Sequence, residues 1–241
     1  MNGRRIAIMQ PYFFPYIGYW QMLAMADVFV VYDDGLFRKE GWINRNRILG
    51  TDGVSPQLIT LPVHDKSCNR RINETKIGRD ARYPKLISKL IRSLEMRYGK
   101  APYFRPAMDV LRPLIECEEE GLSDYLTAGL RGVMDYLGLE TRLMLSSEVD
   151  KSGLTGVVDK VERICKTVGI TDYVNACGGE ELYDRDDFRS RGLSLSFIRR
   201  NADIAYRQFG NGFVPDLSII DVMMFNSPAE IAGLLTRYSL F

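Results

Sequence analysis

The chain has 241 residues, 46% of them hydrophobic and 26% charged, with a formal net charge of +1, the balance of ordinary globular material. Near-neutrality excludes recruitment of nucleic acid or anionic membrane by bulk charge, and no apolar run approaches the roughly 20 residues of a membrane-spanning helix. The start, MNGRRIAIMQ, lacks the features of a signal peptide, and Cys68, Cys117, Cys165 and Cys177 form no C-x-x-C pair, so reduced thiols in a cytoplasmic protein are expected.

The stretch Ile6 to Arg47 organises the rest. An apolar run, Ile6 to Met9, stops at Gln10 and gives way to a turn on Pro11 and Pro15 crowded by Tyr12, Phe13, Phe14, Tyr16 and Tyr19. A helix-compatible segment, Ile17 to Ala26, leads to a second apolar run, Val28 to Val31, ending in Tyr32-Asp33-Asp34. Short continuous apolar runs separated by one helix predict a βαβ unit in a parallel sheet buried on both faces. Ligands of such sheets bind beyond the carboxyl ends of the strands, where Gln10, the aromatic turn, Asp33 and Asp34 fall.

Residues 36–63 read as a β-hairpin excursion: Trp42, Ile43 and Ile48 are interleaved with Asn44, Arg45, Asn46 and Arg47, turn residues follow, and Gln57 to Val63 is the return strand. The segment His64 to Gly78 reads as polar loop with a short extended piece around Ile72. Helical spacing of apolar residues from Tyr83 to Leu137, broken at Pro102 and Pro106, predicts three helices, the third capped by Ser123. They form a helical insertion over 81–138. Strand and helix signals then alternate: strands at 141–145, 172–176 and 194–198, with helices at Thr155 to Val168 and Glu180 to Arg189. The tail from Ser218 is one helix interrupted near Asn226-Ser227-Pro228, with Ser218 and Asp221 spaced as a capping box and Ser227 as a second cap. The sum is one α/β domain over 1–241 with a doubly wound, mostly parallel five-stranded sheet, Rossmann-like and nucleotidylyltransferase-like in order, 3-2-1-4-5.

Several stretches bear on chemistry. Gln10, Tyr12, Tyr16, Tyr19 and Trp20 suit a wall that stacks a sugar or base, although the same aromatics also suit packing between sheet and insertion. Asp33 and Asp34 leave their strand on opposite faces, so one is a candidate general base or metal ligand and the other a turn former. Lys39, Trp42, Asn44, Arg45, Asn46 and Arg47 form a polar block able to hold phosphate or carboxylate by bidentate bonds. In Asn175-Ala176-Cys177-Gly178-Gly179-Glu180 the paired glycines permit close backbone approach where a helix opens. Tyr206 and Gln208, two apart in extended chain, are placed to face the same crevice as Gln10. His64 is the one histidine, which removes Ser–His–Asp and multi-histidine zinc sites and leaves Cys177 without an evident partner. Any general base is then a carboxylate or a tyrosine, which selects Asp33, Asp34 and Tyr16 as catalytic candidates. No metal is expected. Tyr16-Ile17-Gly18-Tyr19 stands where nucleotidylyltransferase-type folds carry H-x-G-H, but tyrosines cannot supply that motif's positive charge.

The blocks MQPYFFPYIGYWQM, VFVVYDD, GWINRNRIL, YVNACGGEELYD and YRQFGNGFVPDLSIIDVMMFN, running from about Met9 to about Phe225, resemble the WbqC-like protein family. That family belongs to bacterial gene clusters for O-antigen and other surface polysaccharides. The resemblance implies an enzyme transferring an acyl or aminoacyl group to the amino group of a nucleotide-linked amino sugar. The activating cofactor stays open between ATP and an acyl-CoA, as does oligomeric state. A non-catalytic glycan-assembly binding protein and a nucleotidyltransferase are the alternatives.

Overall fold

The computed structural model describes residues 3–64, 69–210 and 212–241; Cys68 and part of the expected loop after His64 lie outside the described residues. Strand β1 (Arg5–Met9), helix α1 (Ile17–Met25) and strand β2 (Val28–Val31) form the opening βαβ unit. All four residues of β2 are buried, as a strand covered on both faces requires. The hairpin follows as β3 (Arg45–Leu49) antiparallel to β4 (Pro56–Thr60), a two-stranded sheet of its own. The extended piece expected near Ile72 is instead a 3-10 turn, Ile72–Glu74, with the Ile72 side chain buried.

Helices α2 (Tyr83–Tyr98), α3 (Phe104–Ile115) and α4 (Leu122–Leu137) come next. Ser123 does not cap α4: it lies one residue inside the helix, buried, and Gly121 takes the cap position. Then come β5 (Arg142–Leu145), α5 (Val157–Val168), β6 (Asp172–Ala176), α6 (Arg185–Ser190) and β7 (Ser194–Arg200). Gly138 and Gly169 end α4 and α5 at φ of 66° and 74°, the left-handed C-terminal conformation that glycine adopts without cost. The helix expected from Glu180 to Arg189 is divided into a 3-10 stretch, Cys177–Leu182, and α6, which begins where the Asp184 carboxylate caps the amides of Asp186 and Asp187.

The chain finishes with α7 (Ile219–Phe225), α8 (Pro228–Leu235) and a short strand, β8 (Tyr238–Leu240). Ser218 does cap α7, accepting from the Ile220 amide, and Ser227 forms a reciprocal capping box with Glu230. Asp221 completes no box at α7, because Tyr98, Tyr206 and Gln208 occupy its carboxylate.

The main sheet has six strands, not five, in the order β5-β2-β1-β6-β7-β8. The first five run parallel; β8 pairs antiparallel to β7 and covers its edge. Alternation along β1 divides the interior. Ala7 joins a core with α1, α7, α8 and the helices α2 to α4, whereas Ile6 and Ile8 join a second core with Val161 and Ile164 of α5 and Phe188 of α6. The sheet therefore carries a hydrophobic core on each face.

Candidate active site

At the carboxyl ends of β1 and β6, which pair side by side, the connections part. The chain leaves β1 for α1 on one face and leaves β6 for α6 on the other. Such a switch point opens a crevice, and here it is a cavity of about 890 Å³. Gln10, Tyr12, Tyr16, Tyr19, Trp42, Asn46, Arg47, Asn175, Gly178 and Gly179, from three separate parts of the sequence, all line it.

The aromatic turn both packs and faces the cavity. Phe13 and Phe14 point inward and are buried; Tyr12 and Tyr16 border the opening, with the Tyr12 ring 5.5 Å from that of Tyr19. Phe14 sits at a φ of 44°, a strained value for a side chain of its size. Its carbonyl accepts from Asn46 Nδ2 at 2.8 Å and from Ser218 Oγ at 2.6 Å. Asn46 also donates to the Phe13 carbonyl at 3.0 Å, and Tyr19 and Trp20 donate to the carbonyls of Gln10 and Pro15. The turn is thus clamped by the hairpin and by the cap of α7. Gly18 is small for a local reason: a Cβ there would meet the Tyr16 ring at 2.5 Å. The space that a nucleotide would use in an H-x-G-H site is taken by tyrosine.

Burial raises the pKa of Tyr12, Tyr16, Tyr19 and Tyr32; for Tyr16 the nearby Asp216 adds to the effect. These phenols are neutral at physiological pH and act as hydrogen-bond donors. Asn175 is 7% exposed, and its Oδ1 accepts from the Ala176 amide at 2.8 Å. A Cβ at Gly179 would come within 2.6 Å of Asn175 Nδ2, while one at Gly178 would meet nothing. Gly179 makes room for Asn175, and Gly178 faces open space.

Charge around the cavity is one-sided. Arg38, Arg47, Lys160, Arg199 and Arg200 line it against a single carboxylate, Asp216. Arg200 pairs with Asp216 at 3.2 Å. Arg47 lies 5.2 Å over the Trp42 ring and donates to the Asp216 carbonyl at 3.4 Å, with its Nε buried and unpartnered. Arg199 stacks over Phe241 at 4.3 Å and lies 3.7 Å from Glu180. Arg38 and Lys160 have no ion pair among the described residues.

Other candidates from the sequence lie elsewhere. The Asp33 carboxylate is buried and accepts from the amide and hydroxyl of Ser147 at 2.9 and 2.6 Å. Asp34 is paired with Lys151 at 3.0 Å. Both carboxylates are held by the connection after β5, and neither lines the cavity. Lys39, Asn44 and Arg45 border a separate hollow of about 230 Å³. Asn44 holds the Leu61 carbonyl at 2.8 Å, and Arg45 donates to the carbonyls of Gly41 and Glu40. Tyr206 and Gln208 do share a direction, but it is towards Asp221, at 2.6 and 2.7 Å. Cys177 is exposed at the cavity, and His64 does not reach it. Among the described residues no cluster of His, Cys, Asp and Glu is placed to hold a metal ion.

Arg38, Tyr32, Lys160, Tyr183, Arg199, Arg200 and Asp216 line the cavity without having stood out in the sequence. Arg199 and Arg200 end β7, so the strand-end rule that selected Gln10 pointed to them as well. Lys160 carried no such signal.

Comparison with known proteins agrees with the motif blocks. The family model described as the WbqC-like protein family matches residues 10–232. The protein named "Uncharacterized protein Rv1507c" of Mycobacterium tuberculosis is 31% identical over 238 residues, 98% of each chain. No solved structure matches.

Proposed function

The chain belongs to the WbqC-like protein family, and we propose that its switch-point cavity binds a nucleotide-linked amino sugar and transfers an acyl or aminoacyl group to the sugar amine. The observation that carries this reading is the pairing of five cations and one carboxylate with a wall of neutral tyrosines and a tryptophan. Arginine and lysine match a diphosphate, and aromatic faces match a base or pyranose ring. The volume is within the range of small-molecule sites.

In the transfer, the amine nitrogen attacks the acyl carbonyl carbon. The new C–N bond forms as the bond to the leaving group breaks, and the proton released by nitrogen ends on that leaving group. Tyr16 and Asn175 supply donors to the carbonyl oxygen as negative charge develops on it. Asp216, whose charge reaches Tyr16, is the carboxylate available to relay the proton. Because Asp216 is also held by Arg200, a second reading stands beside this one: a glycan-assembly protein that binds the same ligand without turning it over.

Titration calorimetry with a nucleoside diphosphate amino sugar, followed by a transfer assay on an acyl-donor panel, tests both. Tyr16→Phe deletes no core volume and Asn175→Ala removes one buried polar side chain; both are expected to keep the folded circular dichroism spectrum. Each should weaken ligand binding by about 0.5–1.5 kcal/mol, the net worth of one hydrogen bond. Unchanged affinity and turnover in both would return the aromatic turn to packing alone. Saturable binding without any turnover would favour the binding protein.

A further inference from the structure

The cavity has two walls of different chemistry, one on each face of the sheet. The first, with Tyr16, Trp42, Arg47, Arg200 and Asp216, is polar and charged, and rests on the core that holds α1. The second rests on the other core and is apolar: Val157 and Val161 on the first turns of α5, with Leu182 and Tyr183 after β6. Its lip stands in solvent, Val157 being 58% and Leu182 76% exposed. A nucleotide sugar carries no alkyl chain, and the aromatic wall already offers faces for its base and its ring. Beside the lip, on the same face of α5, Lys160 follows Val157 by three residues and precedes Val161 by one. It carries no ion pair among the described residues.

We propose that this second wall is the donor subsite, and that the acyl group arrives as a coenzyme A thioester whose chain lies on Val157, Val161 and Leu182. Lys160 at the mouth complements the phosphates of the carrier. This rests on the acyl-transfer reading and deepens it, committing the donor to a preformed thioester. In the balanced step the acyl carbon–sulfur bond breaks as the C–N bond forms, and the amine proton ends on the coenzyme A thiolate.

The full chain is titrated with coenzyme A and with its acetyl, butyryl and hexanoyl thioesters. Affinity is expected to rise about two- to fourfold per added methylene, the yield of burying a CH₂ group against apolar surface. Leu182→Ser and Val157→Ser replace exposed side chains and should flatten the series towards the affinity of coenzyme A itself. Met96→Ser, 77% exposed on α2 away from the cavity, should leave the slope intact. A flat series in the unaltered protein, or a slope that survives both lip substitutions, overturns the donor subsite. If the slope holds but no nucleotide sugar binds, the donor subsite stands and the acceptor assignment falls. If the sugar binds and the series is flat, the reverse holds.

Discussion

Arg45 and Arg47 are two residues apart on one strand, and only one of them reaches the cavity. Arg45 is tied to the backbone of Glu40 and Gly41, whereas Arg47 stacks on Trp42 with a buried Nε left to bond. Arg47→Ala should therefore weaken binding of a phosphate-bearing ligand by about 1.5–3 kcal/mol, the worth of a charge-assisted bond. Arg45→Ala should leave it unchanged. Equal losses in the two variants, by titration calorimetry, would contradict the assignment. Alternation in β3 was readable and correctly separates the asparagines from the arginines. The bend of residues 36–44, which engages one arginine and frees the other, has no local signature. Asn46, read as a ligand contact, acts chiefly as the clamp on Phe13 and Phe14; its partners lie more than thirty residues away.

Elements were more legible than their contacts. The runs Ile6 to Met9 and Val28 to Val31 are apolar enough to declare buried parallel strands, and Gly169 and Ser227 mark helix ends by their chemistry. β8 went unread because three residues after a helix carry no period. Asp33 and Asp34 were placed at a strand end, but their partners Ser147 and Lys151 belong to the connection after β5, which sequence spacing cannot bring near. That connection gives a prediction at this scale. Lys151 and Asp34 are 7% and 14% exposed in their side chains, so Asp34→Ala removes the counter-ion of a nearly buried lysine that keeps only its hydrogen bonds to Ser146 and Val149. It should cost about 3 kcal/mol of stability, and adding Lys151→Met should recover most of the loss. Urea unfolding of the single and double variants measures both; a double variant no better than the single would count against the pairing.

For the molecule as a whole, a buried carboxylate joins parts that the sequence keeps far apart. Asp221 on α7 receives Tyr98 of α2 at 2.9 Å, together with Tyr206 and Gln208, and Tyr98 in turn accepts from the Leu49 amide of β3. Burial raises the Asp221 pKa, and the hydrogen bonds from Tyr206, Gln208 and Tyr98 offset only part of that effect. A carboxyl group with a raised folded-state pKa favours the fold most when protonated. Its contribution is fully present below the unfolded value of about 3.9 and is lost as pH rises through the folded value. The stability of the native chain minus that of Asp221→Asn should thus be largest near pH 4 and shrink towards neutrality. Denaturant unfolding across that interval checks the sign, and a difference that grows with pH would refute it.

The two walls of the cavity stand on separate hydrophobic cores, with the sheet between them. Changes on one wall share few packing neighbours with changes on the other, and effects at sites without shared partners add nearly independently. Under the transfer proposed above, preference for one reactant can then drift, or be engineered, while preference for the other is held. On that reading the chain is suited to diversifying its products one half at a time.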